Sequence, residues 1–273
     1  MKGKMILVLG LLGMSLAVPS IYAQTAPAGT SPPAAGANPQ TAPAGAPQPA
    51  ANAVDPASIQ ALKDMGAHLL TLKRFEVSTE LTGENVLADG QKLQHTATAK
   101  MDVLRPNKIR VLMKSARNER QLVYDGKTVS LYTPAQKYYG ALEFNGTLGA
   151  LIDLLEEKYG MQIPLDDLFR FGTPEAVLDK FESAMNAGQD FIGRDLCDHY
   201  AFRRGKIDWQ IWITTGSKPL PRKIVITNRA DDARPQSVQM LDWNLKPTFT
   251  DAVFKVTQPK GSSKIEIIPV KTK

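Results

Sequence analysis

Apolar and polar positions alternate along much of the chain and elsewhere recur at three- and four-residue spacing. Successive side chains of an extended segment point to opposite sides, so in FEVSTEL (75–81) Phe75, Val77, Thr79 and Leu81 share one face of a strand. The same pattern places Leu93, His95, Ala97, Ala99, Met101 and Val103 on one face of 92–105, and it continues in IRVLMK (109–114). QLVYDGKTVSLY (121–132) reads as a hairpin with Asp125-Gly126 at its tip. Further strands are expected at 190–203, 208–214, 222–228, 237–243, 249–256 and 264–270.

Helical spacing marks three other stretches. Asp55 can cap and Pro56 can open a helix carrying Ile59, Leu62, Met65, Leu69 and Leu70, ending at about Leu72. Thr147 can cap a second, with Leu148, Leu151, Ile152, Leu154, Leu155 and Tyr159 apolar and Gly160 ending it. Residues 163–169 read as a short connecting turn of helix. Thr173-Pro174 predicts a third helix with Val177, Leu178, Phe181 and Met185, stopped by Gly188. Runs of strands interrupted by a helical block predict an α+β fold. A twisted sheet of about ten strands curls, so the expected form is a strongly curved antiparallel half-barrel with helices across its concave side.

The stretch DWQIWITTGSKPLPRKIVIT (208–227) departs from a one-sided sheet. Trp209, Ile211 and Ile213 lie on one face of the first strand and Trp212 on the other; Ile224 and Ile226 alternate with Val225 on the return. Both faces are bulky and apolar. One reading is that the second face lines a hollow partly closed by helices; the other is that the helices fill that space as ordinary core. In the first reading Trp209, Ile211, Trp212, Ile213 and Tyr138 are the candidate lining of a site for an apolar ligand.

The ends of the chain change the picture. Lys2 and Lys4 precede an apolar run from Met5 to Val18, followed by Ser20-Ile21-Tyr22-Ala23, so residues 1–23 read as a signal peptide cleaved after Ala23, with retention as an anchor the alternative. Residues 24–54 are rich in Pro, Ala and Gly, repeat TAPAG twice and have almost no charge; they read as a disordered linker. Residues 55–273 form the single expected domain, in the periplasm. The one cysteine, Cys197, cannot form an internal disulfide, so the core alone must hold the fold in an oxidising compartment.

Net charge is +6 over 273 residues, falling to about +4 without the signal, and no basic run carries interleaved aromatics, so nucleic acid is not an expected partner. Later segments are too short or too polar to span a bilayer. Cys197 and His199 are two apart and share a strand face. They could form a thiolate–imidazolium couple, but two ligands do not make a metal site; the expected reading is a packed, structural pair with no metal. Adjacent acids such as Asp166-Asp167 read as solvated groups, no catalytic residue is assigned, and no cofactor motif is present.

RPNKIRV (105–111), YDGKTVSLY (124–132), EKYGMQIPLDDLF (157–169), the Cys197-x-His199 stretch and DWQIWI…KPLPRKIVIT together resemble the predicted periplasmic proteins grouped as domain of unknown function 2092, over roughly residues 55–260. That resemblance implies kinship with the LolA/LolB type of lipoprotein-localisation carrier, an antiparallel half-barrel closed by helices around a cavity for acyl chains. The function expected is an exported, non-enzymatic binding protein holding a lipid, a lipoprotein acyl chain or another apolar ligand. The alternative is an envelope-sensing or assembly module that receives a protein partner.

Overall fold

The computed structural model describes residues 53–176 and 178–270. The expected signal peptide, nearly all of the expected linker and Val177 lie outside the described residues. The first helix, α1 (Pro56–Thr71), begins at Asp55, whose carboxylate accepts from Ala57 N at 3.0 Å and Ser58 N at 3.1 Å. Those bonds occupy donors that no helical carbonyl can reach. The second, α2 (Leu148–Tyr159), starts at Thr147 and stops at Gly160, whose φ of 61° is the left-handed conformation that ends helices.

Between them a meander runs through β1 (Arg74–Val86), β2 (Lys92–Leu104), β3 (Lys108–Ser115), β4 (Glu119–Tyr124), β5 (Thr128–Thr133) and β6 (Tyr138–Glu143). A second meander follows α2: β7 (Ser183–Ile192), β8 (Asp195–Arg204), β9 (Ile207–Thr214), β10 (Pro221–Asn228) and β11 (Gln236–Asn244). Pairing of β1 with β11 joins the two into one sheet, and β12 (Ser263–Lys264) adds to β6 in parallel. The result is a 12-stranded, curved and unclosed sheet, antiparallel apart from β12.

Both helices and the 3-10 turn Asp166–Phe169 pack on the concave side. Leu62, Met65 and Leu69 of α1 and Leu151 and Leu155 of α2 are at most 1% exposed, in one core with Phe75, Met101, Val111 and Ile211. Among the described residues no helix is long and apolar enough to cross a membrane.

Three expectations are corrected. The third helix does not form. Residues 173–176 and 178–182 have no regular structure, and Met185 lies in β7, where the ladder with β8 outweighs a helical spacing of apolar residues. The expected strand 190–203 is a hairpin corner: Gly193, at φ 63°, and Arg194 turn the chain between β7 and β8. Residues 249–256 hold a 3-10 turn at Asp251–Phe254, and of the last expected strand, 264–270, only Lys264 is laddered, together with Ser263 before it. Beyond it the chain crosses the β6 edge, Ile265 N donating to Tyr139 O, and reaches α2, where Val270 N donates to Lys158 O.

Candidate functional site

The concave face is filled. Trp209 is 6% exposed, Ile211 0% and Ile213 3%. Trp209 is surrounded by rings: Phe202 stacks at 4.5 Å between centroids, with Phe181 at 6.0 Å and Phe171 at 6.5 Å. Phe171 precedes the irregular stretch that begins at Gly172 and Phe181 follows Lys180, so the contacts of both rings with Trp209 tie the chain on either side to the core.

Open space lies beside this core, along α1. One groove of about 600 Å³ runs between Ile59, Lys63, Ala67 and Leu70 of α1 and residues Gly172, Thr173, Ala176 and Leu178. A second, of about 630 Å³, lies between the end of α1, the β2–β3 turn at Arg105-Pro106, the first turn of α2 and residues Phe169–Arg170. Leu70 and Thr173 belong to the walls of both. Each volume falls within the usual ~300–1,000 Å³ of small-molecule sites.

Local geometry fixes the second groove. Arg105 N donates to Lys73 O at 2.9 Å and Leu148 N to Pro106 O at 3.1 Å, tying the turn to the link between α1 and β1 and to the start of α2. The Arg105 guanidinium lies over the rings of Phe75 and Phe169, 6.0 and 5.5 Å from their centroids. Its Nε is shielded from solvent without a hydrogen-bond partner, and no carboxylate among the described residues pairs with it. Burial draws its pKa below the ordinary arginine value, yet a guanidinium stays cationic.

Arg170 on the opposite wall is different: Asp153 at 3.0 Å and Glu156 at 2.8 Å neutralise it. Behind it, burial first and the charge of Glu156 second push Asp166 up to about 6. Burial first and Asp166 second push Asp167 up to about 7. The groove can therefore seat apolar groups against Leu70, Leu148 and Phe169 beside the Arg105 guanidinium, which has no acidic partner.

Residues 58–268 match the family described as predicted periplasmic protein, DUF2092. The chain belongs to that family. No curated protein sequence matches it. Among solved structures, the DUF2092 chain is similar to the lipoprotein LppX of Mycobacterium tuberculosis, at 12% identity and a TM-score of 0.47 over 71% of this chain and 98% of that one. An uncharacterized conserved protein from Thermus thermophilus aligns at 12% identity and TM-score 0.44, over 77% and 99% of the two chains. A LolA superfamily protein from Nitrosomonas europaea aligns at 10% and 0.36, over 73% and 97%. No residue role is carried over from any of them.

The candidate lining residues of the DUF2092 chain do not come together around a hollow. Trp209, Ile211 and Ile213 face the filled concave core. Trp212 points the other way, into a small cluster with Ile192, Cys197 and Val225 on the convex face. The bulge at Asn186/Gly188 shifts the register of β7 before Ile192 joins that cluster. Trp212 stacks on His199 at 3.9 Å, its Nε1–H donates to Asp190 at 2.7 Å, and Lys223 Nζ sits 4.3 Å from its ring centroid. Tyr138, on β6 beside the short β12, is 47% exposed.

Cys197 and His199 share the convex face, Cys197 within the small cluster and His199 stacked on Trp212. The thiol is fully buried, contacts Asp195 O at 3.6 Å and is pushed up to about 11, chiefly by burial. His199 Nε2 is 2.9 Å from Gln210 Oε1. Sequence reasoning missed the grooves. Arg105 was visible only as part of a turn, and nothing in its spacing announces a cation without a counter-ion.

Proposed function

We propose that this chain is an exported, non-enzymatic binding protein that takes a lipid, acyl chain or other apolar ligand in the grooves beside α1 rather than inside the half-barrel. The observation that carries this reading is the pair of adjoining open grooves, partly apolar and sharing Leu70 and Thr173, at the margin of a core that is otherwise filled. Removal of apolar surface from water, worth roughly 25 cal/mol per Å² before association costs, would drive binding. Membership of a family described as periplasmic supports export, with residues 1–23 as the signal and 24–54 as a linker.

The test is native mass spectrometry and lipid extraction after gentle purification from the envelope, followed by titration with a fluorescent fatty acid. Ala67→Trp and Ala150→Trp place bulk in the two grooves at exposed helical positions. Each is expected to weaken binding about tenfold or more. A protein that carries no lipid and ignores the probe, or blocked variants that bind as well as the parent, would remove the proposal.

One observation favours a second reading, an assembly module that receives an extended peptide. The β6 edge already accepts an extended segment of this chain, Ser263 N and Ile265 N donating to Lys137 O and Tyr139 O at 2.8 Å. A partner strand would have to displace that tail. Truncation before Ser263 should then strengthen crosslinking to one recurrent envelope protein; unchanged crosslinking would argue against it.

A further inference from the structure

We propose that the groove at the start of α2 binds the anionic head of a single-chain amphiphile, with Arg105 as its counter-ion, while the acyl part runs past Leu70 into the groove along α1. The inference rests on the reading of these grooves as an apolar-ligand site, and it names the ligand class.

Arg105 is the anomaly that carries it. Other shielded arginines have acidic partners: Arg110 pairs with Asp102, Arg170 with Asp153 and Glu156, and Arg222 with Asp195 and Asp242. A half-buried cation without a partner costs free energy that the fold must recover elsewhere or that a ligand recovers on binding. The two phenyl rings engage the face of the guanidinium. Its N–H edge is what matches a carboxylate or phosphate, two parallel bonds at a time.

The surroundings have the matching sign. Lys73 lines the groove, as do Thr147 and Gly149 from the first turn of the 12-residue α2, whose N-terminal end carries positive potential. Two carboxylates also line it, and both are engaged. Asp153 pairs with Arg170, and Glu175 is held below the ordinary carboxylate range first by its hydrogen bond with Thr173. The tail has a defined exit, because Leu70 and Thr173 continue into the groove that Ile59, Ala67 and Leu178 line.

The experiment compares a fluorescent long-chain fatty acid with its matched alcohol on the purified chain. The acid is expected to bind at least about tenfold more tightly, as a charge-assisted hydrogen bond allows. Arg105→Gln should reduce the acid to the affinity of the alcohol and leave the alcohol unchanged; Arg105→Lys should restore part of the preference. Because Arg105 packs on Phe75 and Phe169, a second variant avoids any loss of fold. Ala150→Glu lies three residues after Thr147, where a glutamate completes a capping box, so it keeps or strengthens α2 while placing a negative charge at the groove. It should weaken the acid about tenfold and spare the alcohol, and Ala150→Gln should change neither. Inorganic phosphate at millimolar concentration should not displace the acid.

Equal binding of acid and alcohol by the parent chain overturns the anchor while leaving the groove as an apolar site. Displacement by phosphate alone makes the groove a site for a free anion and overturns the amphiphile. Binding of neither compound removes this inference together with the function on which it rests.

Discussion

The close approach of α1 to the turn at Gly172 gives a prediction whose sign is diagnostic. A Cβ built on Gly66 would lie 2.4 Å from Gly172 N and 2.8 Å from Gly172 Cα, against 3.4 Å for ordinary contact. The obstacle is backbone, so α1 and the turn must part by about 1 Å. Helix propensity alone favours Gly66→Ala by about 1 kcal/mol. Forcing an extra methyl into a packed contact costs about 1–3 kcal/mol, and Phe171, adjacent to that turn, packs on Trp209. The clash should win, for a net loss on the order of 1 kcal/mol. Gly149→Ala in α2 is the control: its Cβ would meet only Thr147 Oγ1, at 3.9 Å, so it should be neutral or stabilise by up to ~0.5 kcal/mol. Guanidinium unfolding with an unchanged denaturant slope measures both. If Gly66→Ala stabilised the protein as Gly149→Ala does, α1 would not rest on this turn, and the walls of the α1 groove would be wrongly placed.

Trp209→Ala should cost about 3–5 kcal/mol in the same assay, because it empties the ring cluster at the concave face. Phe191→Ser, at a residue 71% exposed, should stay within about 0.5 kcal/mol, and a large loss there would reveal a contact on the β7 edge. With the Cys197 thiol buried and pushed up to about 11, a disulfide reagent at pH 8 should label it only as fast as the protein opens; rapid labelling of native protein would contradict its packing. Asp166 and Asp167, raised to about 6 and about 7, hold protons to higher pH than unfolded aspartates do. Their contribution to stability is therefore complete below about pH 4 and lost as pH rises through 6 to 7. Both carboxyls are partly buried, and the small solvent access that remains screens the loss to on the order of 1–2 kcal/mol. Asp166→Asn with Asp167→Asn should flatten that slope, and stability rising across the same window in the parent would refute the assignment.

Elements whose local and tertiary preferences agree could be read from sequence. Asp55-Pro56, Thr147 and Gly160 bound α1 and α2 as expected, since caps are decided by groups within a few residues. The alternation of 75–81, 92–105 and 109–114 marks strands, with one face on the core in β1 and β3 and, in β2, from Ala99 onward. Failures arose where long-range partners decide. Leu178 and Phe181 keep a helical spacing but are held by the concave face and its rings, and Met185 is held by a ladder to Ala201. Asp166 and Asp167 look like solvated neighbours in sequence. Only the fold brings Glu156 and Arg170 against them. The grooves were illegible because they are made of gaps between elements rather than of a pattern within one.

The two-sided apolar strand β9 shows why an apolar face need not imply a cavity. Trp212 and its neighbours require only enough cover to remove a few side chains from water, and Ile192, Cys197, Val225 and the stacked His199 supply it on the convex surface. Inside, Phe171 and Phe181 occupy the space that an oily guest would need against Trp209. A ligand that entered there would have to displace both rings and give back their burial. A ligand beside α1 displaces only water and meets a cation that has no counter-ion. The energetic comparison therefore favours the flank of the half-barrel over its interior. An acyl chain found stacked against Trp209, with Phe181 expelled, would reverse that ordering.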